Sequence, residues 1–285
     1  MIILRLMPGG LASQMSQQAI LEKFHLRGVP AVFDLQDFKA GTQLFNGLEL
    51  RSVFGIAEEE AAPSEIFRLG DLNQSVWNRL RRKIWGPKKT CFFEEPFDYN
   101  PALFDLREAY LFGYYSQNRY YHDIRDHLLS KFRFPELDAL NREKFTPLLA
   151  EPLVSIHVRR GDYLNLPIFQ NCVGPSYYEN AIRLMNERVP NARYVVFSDD
   201  IPWCQENLVL GKDAIFVDWN KGAQSYRDMQ LMSLCRHNII ANSGFSYWGA
   251  YLGTGHNRIV IAPRSWYNDP RFRLETTVPA EWVVI

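Results

Sequence analysis

The stretch IILRLMPGGLASQMSQQAILEKFHLRGVPAVFD, Ile2 to Asp34, sets the fold class. Ile2, Ile3, Leu4 and Leu6 predict a strand, and Pro8-Gly9-Gly10 a turn. From Ser13 to His25, Met15, Ala19, Ile20 and Phe24 recur at helical spacing, and Pro30 to Asp34 predicts a second strand. Strand, glycine turn, helix and strand make a βαβ unit, which implies a parallel sheet.

Further along, Gly41 to about Pro101 reads as irregular, with short helical pieces and the basic run NRLRRKIWGPKK. Ala109 to Tyr115 predicts a strand, and about Asn118 to Phe132 a helix. A second α/β series starts near Leu153: a strand to Val158, a helix from Pro175 to Arg188, strands at Tyr194–Phe197 and Ala214–Val217, a helix capped by Asp228, a strand at Asn238–Ala241, a helix from Ser246 to Leu252, and a last strand at Ile259–Ile261. The fold expected is α/β, with two facing Rossmann-like domains of parallel sheet, residues 1–151 and 152–285, divided near Glu151-Pro152.

The 285 residues are 47% hydrophobic and 14% aromatic, enough for one large core or two modest ones. Formal net charge is +0, which argues against a broad nucleic-acid surface. The four cysteines, Cys91, Cys172, Cys204 and Cys235, form no CxxC pair and fit reduced thiols better than a disulfide frame or a zinc site. The first apolar run is too short for a secretion signal, and no stretch is long and apolar enough to span a bilayer. A soluble or peripheral protein is expected.

In parallel sheets, ligands bind beyond the carboxyl ends of the strands. There the sequence places GGLASQ, RRGDY, SDD and NSGFS. In SIHVRRGDYLN, Ser155 to Asn165, two guanidinium groups end an apolar strand, where burial is costly unless they meet anions. Arg159 and Arg160 suit phosphate by paired hydrogen bonds. The NSGFS turn, with Ser243 and Ser246 at a helix start, also suits phosphate. Asp199 or Asp200 suits a donor-rich group such as the guanine edge or a ribose hydroxyl. Each loop has a plain reading too: Arg159 can pair with Asp162, SDD can cap a helix, and NSGFS can be an ordinary turn. Together they describe a nucleotide-diphosphate site that uses neither GxxxxGK[ST] nor GxGxxG.

His157 to Tyr163 (HVRRGDY) resembles the HxRRxD signature of the fucosyltransferases that make α1,2, α1,6 and protein O-fucose linkages. Several islands resemble the α1,2-fucosyltransferases, glycosyltransferase family 11: Gly9 to Met15 (GGLASQM), Gly113 to Tyr121, Phe197 to Cys204, Asp228 to Leu234, and Ala241 to Ala250 (ANSGFSYWGA). The resemblance implies a GT-B fold, GDP-fucose as donor, a galactoside acceptor and no metal or other cofactor. It implies Arg160 and Asp162 as catalytic groups, with Asp162 either general base or partner of an arginine. Arg159 and Arg160 would hold the diphosphate, His157 and Asp199 or Asp200 the guanosine, and Ser243, Phe245 and Ser246 the phosphate-proximal loop. Gly10 and its neighbour Ser13 would meet the donor from the other domain. One departure stands out: where the family has GGLGNQM, Ala12-Ser13 replaces Gly-Asn, so the asparagine amide is lost and Ala12 demands a backbone without positive φ.

Val76 to Lys89 raises a separate expectation. Val76 or Trp77, with Leu80, Ile84 and Trp85, makes an apolar stripe among basic residues, which suits either docking on an anionic membrane or packing on the helix's own domain. The family analogy pictures a bacterial cytoplasmic enzyme that builds a surface glycan, on an acceptor that is lipid-linked or free, at the inner membrane face if the helix docks. Three rivals remain: a transferase of different donor, linkage or acceptor; a GDP-sugar-binding protein without turnover, suggested by Ala12-Ser13; and a nucleic-acid-binding module, against which the zero net charge counts.

Overall fold

The computed structural model describes residues 1–39, 46–71, 75–95 and 97–285. The chain divides into two compact units, Met1–Arg133 and Phe134–Ile285.

In the first unit, β1 (Ile2–Arg5), β2 (Ala31–Asp34), β3 (Cys91–Phe93) and β4 (Ala109–Phe112) form a sheet in the order β2-β1-β4-β3. All of its pairings are parallel, as the βαβ reading requires. Helices α1 (Leu11–Leu26), α2 (Gln36–Lys39), α3 (Leu50–Phe54), α4 (Pro63–Leu69), α5 (Val76–Trp85) and α6 (Arg125–Lys131) connect and cover it. In the second unit, β5 (Leu153–Val158), β6 (Arg193–Ser198), β7 (Ile215–Val217), β8 (His237–Ile239), β9 (Val260–Ala262) and β10 (Val283–Val284) form a parallel sheet in the order β10-β9-β8-β5-β6-β7. Its helices are α7 (Ala139–Phe145), α8 (Pro175–Arg188), α9 (Ile201–Asn207), α10 (Tyr226–Leu234), α11 (Gly244–Tyr251) and α12 (Leu274–Thr277).

Strand β5 explains why LVSIHV contains a serine and a histidine yet is buried throughout. Side chains alternate between the two sheet faces. Val154, Ile156 and Val158 pack on Tyr178, Ala181, Ile182 and Met185 of α8. Leu153 packs on the opposite face, with Val195 and Phe197 of β6 and Leu231 and Met232 of α10. Ser155 shares that face and accepts a 2.6 Å hydrogen bond from Asn238 Nδ2, so its polar atom is satisfied.

Several local expectations are revised. The boundary between units falls after Arg133, ahead of Glu151-Pro152, because α7 is fastened to the second unit: Asn141 bonds Trp219 and Asn220. The Asn118–Phe132 helix is broken into 3-10 turns at Asn118–Tyr120 and His122–Ile124 before α6 begins. Lys23 Nζ takes the Tyr120 carbonyl at 2.8 Å, and both Tyr120 and Tyr121 are buried. Asp228 does not cap α10. It lies inside the first turn, accepts from Asn220 Nδ2 and has its carboxyl pushed up to about 7 by burial. Helix α11 starts at Gly244, ahead of Ser246, because Ser243 Oγ accepts from the Phe245 amide. Strand β3 lies in the stretch read as irregular, of which residues 41–45, 72–74 and 96 are outside the described residues.

The first glycine loop is held by glutamines. Gln14 is fully buried; its amide nitrogen donates to Gly9 O (3.0 Å) and Gly47 O (2.8 Å), and its oxygen accepts from Glu49 N (2.9 Å). Gln17 Oε1 accepts from Met7 N at 2.7 Å. Replacing Gln14 by leucine keeps the volume but strands three main-chain groups. The expected cost is roughly 2–4 kcal/mol, read as a lowered midpoint of thermal unfolding.

Candidate active site

The register of the second sheet assembles the site. Strands β5 and β6 pair from Leu153↔Arg193 to Val158↔Ser198. The residues that follow are therefore Arg159-Arg160 on one strand and Asp199-Asp200 on its neighbour. On the other side of β5, β8 runs parallel and leads into Asn242, Ser243 and α11. RRGDY, SDD and NSGFS thus meet at one carboxyl-terminal strand edge, as expected from sequence.

The arginines are held in different ways. Arg159 places Nη2 at 2.7 Å from Asp162 Oδ1 and Nη1 at 3.0 Å from Asp199 Oδ2. Arg160 donates its main-chain N–H to Asp199 Oδ1 (2.9 Å) and its Nε–H to Asp200 Oδ2 (2.9 Å). Its guanidinium lies over the Trp203 ring, 4.2 Å from the centroid. The two terminal nitrogens of Arg160 have no partner among the described residues. The side chain is thus anchored by its Nε and one face while its outer fork is unengaged.

The aspartates hold the arginines in place. Asp199 staples the β5 loop through both oxygens, and Gly161 leaves room for it, since a Cβ there would lie 2.7 Å from Asp199 Oδ2 and the carboxylate would have to shift. Asp200 caps α9 by accepting from Trp203 N (3.2 Å), and Arg160 holds its carboxyl below the usual range. Asp162 is paired with Arg159.

Tyr163 stacks on Phe169 at 4.0 Å between centroids, and the Arg159 guanidinium lies 5.5 Å from the Tyr163 ring centroid. Ser246 is fully buried and donates to Ser243 O at 3.3 Å, within the turn. Phe245 packs its ring 5.8 Å from His157. His157 is buried, and its Nδ1 has no hydrogen-bond partner among the described residues. Burial first, and Arg159 second, push its pKa from 6.5 down to about 3. Sequence reasoning missed Trp203 and Tyr163 as parts of the site. Their aromatic character next to SDD and RRGD was the available signal.

Gly10 and Ser13 belong to the first unit. Gly10 precedes α1 in extended backbone (φ −71°, ψ −178°). Ala12 sits in the first turn of α1, so glycine freedom is not needed there. Ser13 Oγ accepts from Gln17 Nε2 at 3.2 Å. It also sets the need for Gly9: a Cβ at Gly9 would come within 2.7 Å of the Ser13 side chain.

The profile of Glycosyl transferase family 11 matches residues 102–285, which include the whole arginine–aspartate cluster. The chain belongs to glycosyltransferase family 11. It is a glycosyltransferase. The O-antigen biosynthesis glycosyltransferase WbnK of Escherichia coli is 35% identical over 69% of this chain and 67% of its own length. An alpha-1,2-colitosyltransferase of Escherichia coli is 34% identical over 61% of each chain. Galactoside alpha-(1,2)-fucosyltransferase 1 of Alouatta belzebul is 29% identical over 73% of this chain, which spans 59% of that relative's length. Among solved structures, a mutant of Arabidopsis thaliana FUT1 in complex with GDP aligns over 98% of this chain and 75% of its own, with 11% identity and a TM-score of 0.50. That likeness speaks to the fold, which is GT-B-like. No described helix is long and apolar enough to cross a membrane.

The burial of neutral His157 predicts a pH effect. The unfolded chain takes up a proton near 6.5 and the folded chain only near 3, so stability is lost as pH falls through that window. In His157→Asn this component disappears. Urea unfolding from pH 7 to pH 4 should show a shallower loss for the variant than for the wild type.

Proposed function

We propose that the chain transfers L-fucose from GDP-fucose, with inversion and without a metal ion, to the 2-hydroxyl of a terminal galactoside in a surface glycan. The observation that carries this reading is the unengaged fork of Arg160, fixed by Asp200, Trp203 and its own amide at the strand edge. Negative charge grows on the departing β-phosphate as the glycosidic bond breaks. A guanidinium already held in place stabilises that charge without reorganising. Arg159 adds a second cation beside it. The N-terminus of α11 adds the positive end of a helix dipole. The unpaired Nδ1 of neutral His157 supports a polar contact to the guanosine.

Asp162 acts by holding Arg159, and Asp199 and Asp200 by placing the arginines. The arginine pair takes the electrostatic role that a divalent ion fills elsewhere, which is the basis for metal independence. A second donor is favoured by one comparison: the 34% identical relative is an alpha-1,2-colitosyltransferase, and colitose is fucose without its 3-hydroxyl, so GDP-colitose is the direct competitor to test.

Mass spectrometry and linkage NMR of transfer to β-galactosides in EDTA test the reading. Addition at the galactose 2-hydroxyl is expected from GDP-fucose. Arg160→Ala should lower kcat/KM by about 10²–10³-fold. Arg160→Lys should recover little of it, because lysine lacks the paired donors. Asp162→Asn should lower kcat while leaving the acidic limb of the pH profile in place; loss of that limb would make Asp162 the base. GDP binding without transfer to any acceptor would instead mark a binding protein.

A further inference from the structure

Helix α5 is amphipathic in the reverse sense. In a helix that packs on its own domain, the apolar stripe faces inward. Here none of the residues of Val76–Trp85 is buried. Val76, Leu80 and Ile84 follow at four-residue spacing, with Trp77 beside them; Val76, Trp77 and Ile84 are 78%, 81% and 58% exposed, and Trp85 at the end of the helix is 75% exposed. Phe67, nearby at the end of α4, is 68% exposed.

The inward contacts are polar. Arg81 and Arg82 both pair with the buried carboxylate of Asp71, and Arg82 Nη1 also reaches Asp71 O at 2.8 Å. Asp71 Oδ2 accepts from Lys88 N at 2.8 Å. Lys88 Nζ donates to Phe67 O and Arg68 O and lies 5.2 Å from the Phe67 ring centroid. The helix is thus fastened by its cations, and its tryptophans are left outside. Among the described residues, the apolar stripe does not pack on the helix's own domain.

We propose that α5 docks this glycosyltransferase on an anionic lipid bilayer, with Trp77, Leu80, Ile84 and Trp85 entering the headgroup boundary. The charge pattern selects this occupant. From Ser75 to Thr90 there are six basic residues and no acidic one. Three of the six are tied into the fold as described. Arg79, Lys83 and Lys89 have no partner among the described residues and flank the stripe. Anionic headgroups complement such a rim, and tryptophan prefers the interface between headgroup and acyl chain. A second copy of the chain presenting the same face would bring cations against cations.

The test is flotation of the full chain with phosphatidylcholine vesicles containing about one quarter phosphatidylglycerol, against phosphatidylcholine alone. The wild type should float with the anionic vesicles only. Trp77→Ser/Trp85→Ser and Arg79→Glu/Lys83→Glu should each reduce the vesicle-bound fraction at least about tenfold. Both double variants should keep the wild-type thermal midpoint and transfer to a soluble acceptor, because these side chains hold nothing else. Arg81 and Arg82 are unsuitable for reversal, since they neutralise Asp71. A wild type that stays at the bottom of the gradient overturns the proposal. So do variants that float like the wild type, or a concentration-dependent dimer that the tryptophan variant abolishes without any flotation.

Discussion

Everything at the candidate site depends on the parallel register of β5 and β6. Because Val158 stands opposite Ser198, two arginines leave one strand where two aspartates leave the next. Adjacent guanidinium groups repel each other, and partial burial removes some of the water that would screen them. Asp162, Asp199 and Asp200 supply the compensating charge, each through a specific atom. The cluster therefore resolves the tension posed by RRGD at the end of a buried strand. The cations are neutralised within the fold, yet one fork is left with donors to offer. A one-residue slip in this register would reverse the faces of the strand and dissolve the cluster.

The surroundings of that register are built to keep it. Tyr178 from α8 donates to the His157 carbonyl at 3.1 Å, closing a strand-end acceptor next to the arginines. Tyr177 reaches the carbonyls of Ile240 and Ile261, on the path from β8 and on β9. Trp203 both donates its amide to Asp200 and lies beneath Arg160. These contacts fix the strand ends, so the loops leave them in one direction. A cation held in this way is preorganised: it can meet developing negative charge without rearrangement.

Much of the site could be read in the chain. The strand LVSIHV, the loop RRGDY, the SDD turn after YVVF and NSGFS after NIIA are all where the apolar periodicity put them. The roles of the aspartates could not be read, because a carboxylate that receives a ligand and one that braces an arginine look alike in sequence. Their separation along the chain hides that Asp199 contacts both Arg159 and the Arg160 amide. The break in the Asn118–Phe132 stretch is hidden from the sequence in the same way: a distant lysine takes the Tyr120 carbonyl.

The sequence by itself determined the fold class and the family, since local apolar runs, glycine turns and the ordered motif islands are properties of neighbours along the chain. It also specified that α5 would be amphipathic and basic. Tertiary structure alone decided which way α5 faces, because only the fold brings Asp71 under Arg81 and Arg82 and so turns the polar side inward. It likewise decided that Gly9 answers to Ser13 and Gly161 to Asp199, steric relations across a turn and between strands. And it alone left Arg160 with an open fork, since charge pairing depends on distances of a few ångströms that spacing in sequence does not encode.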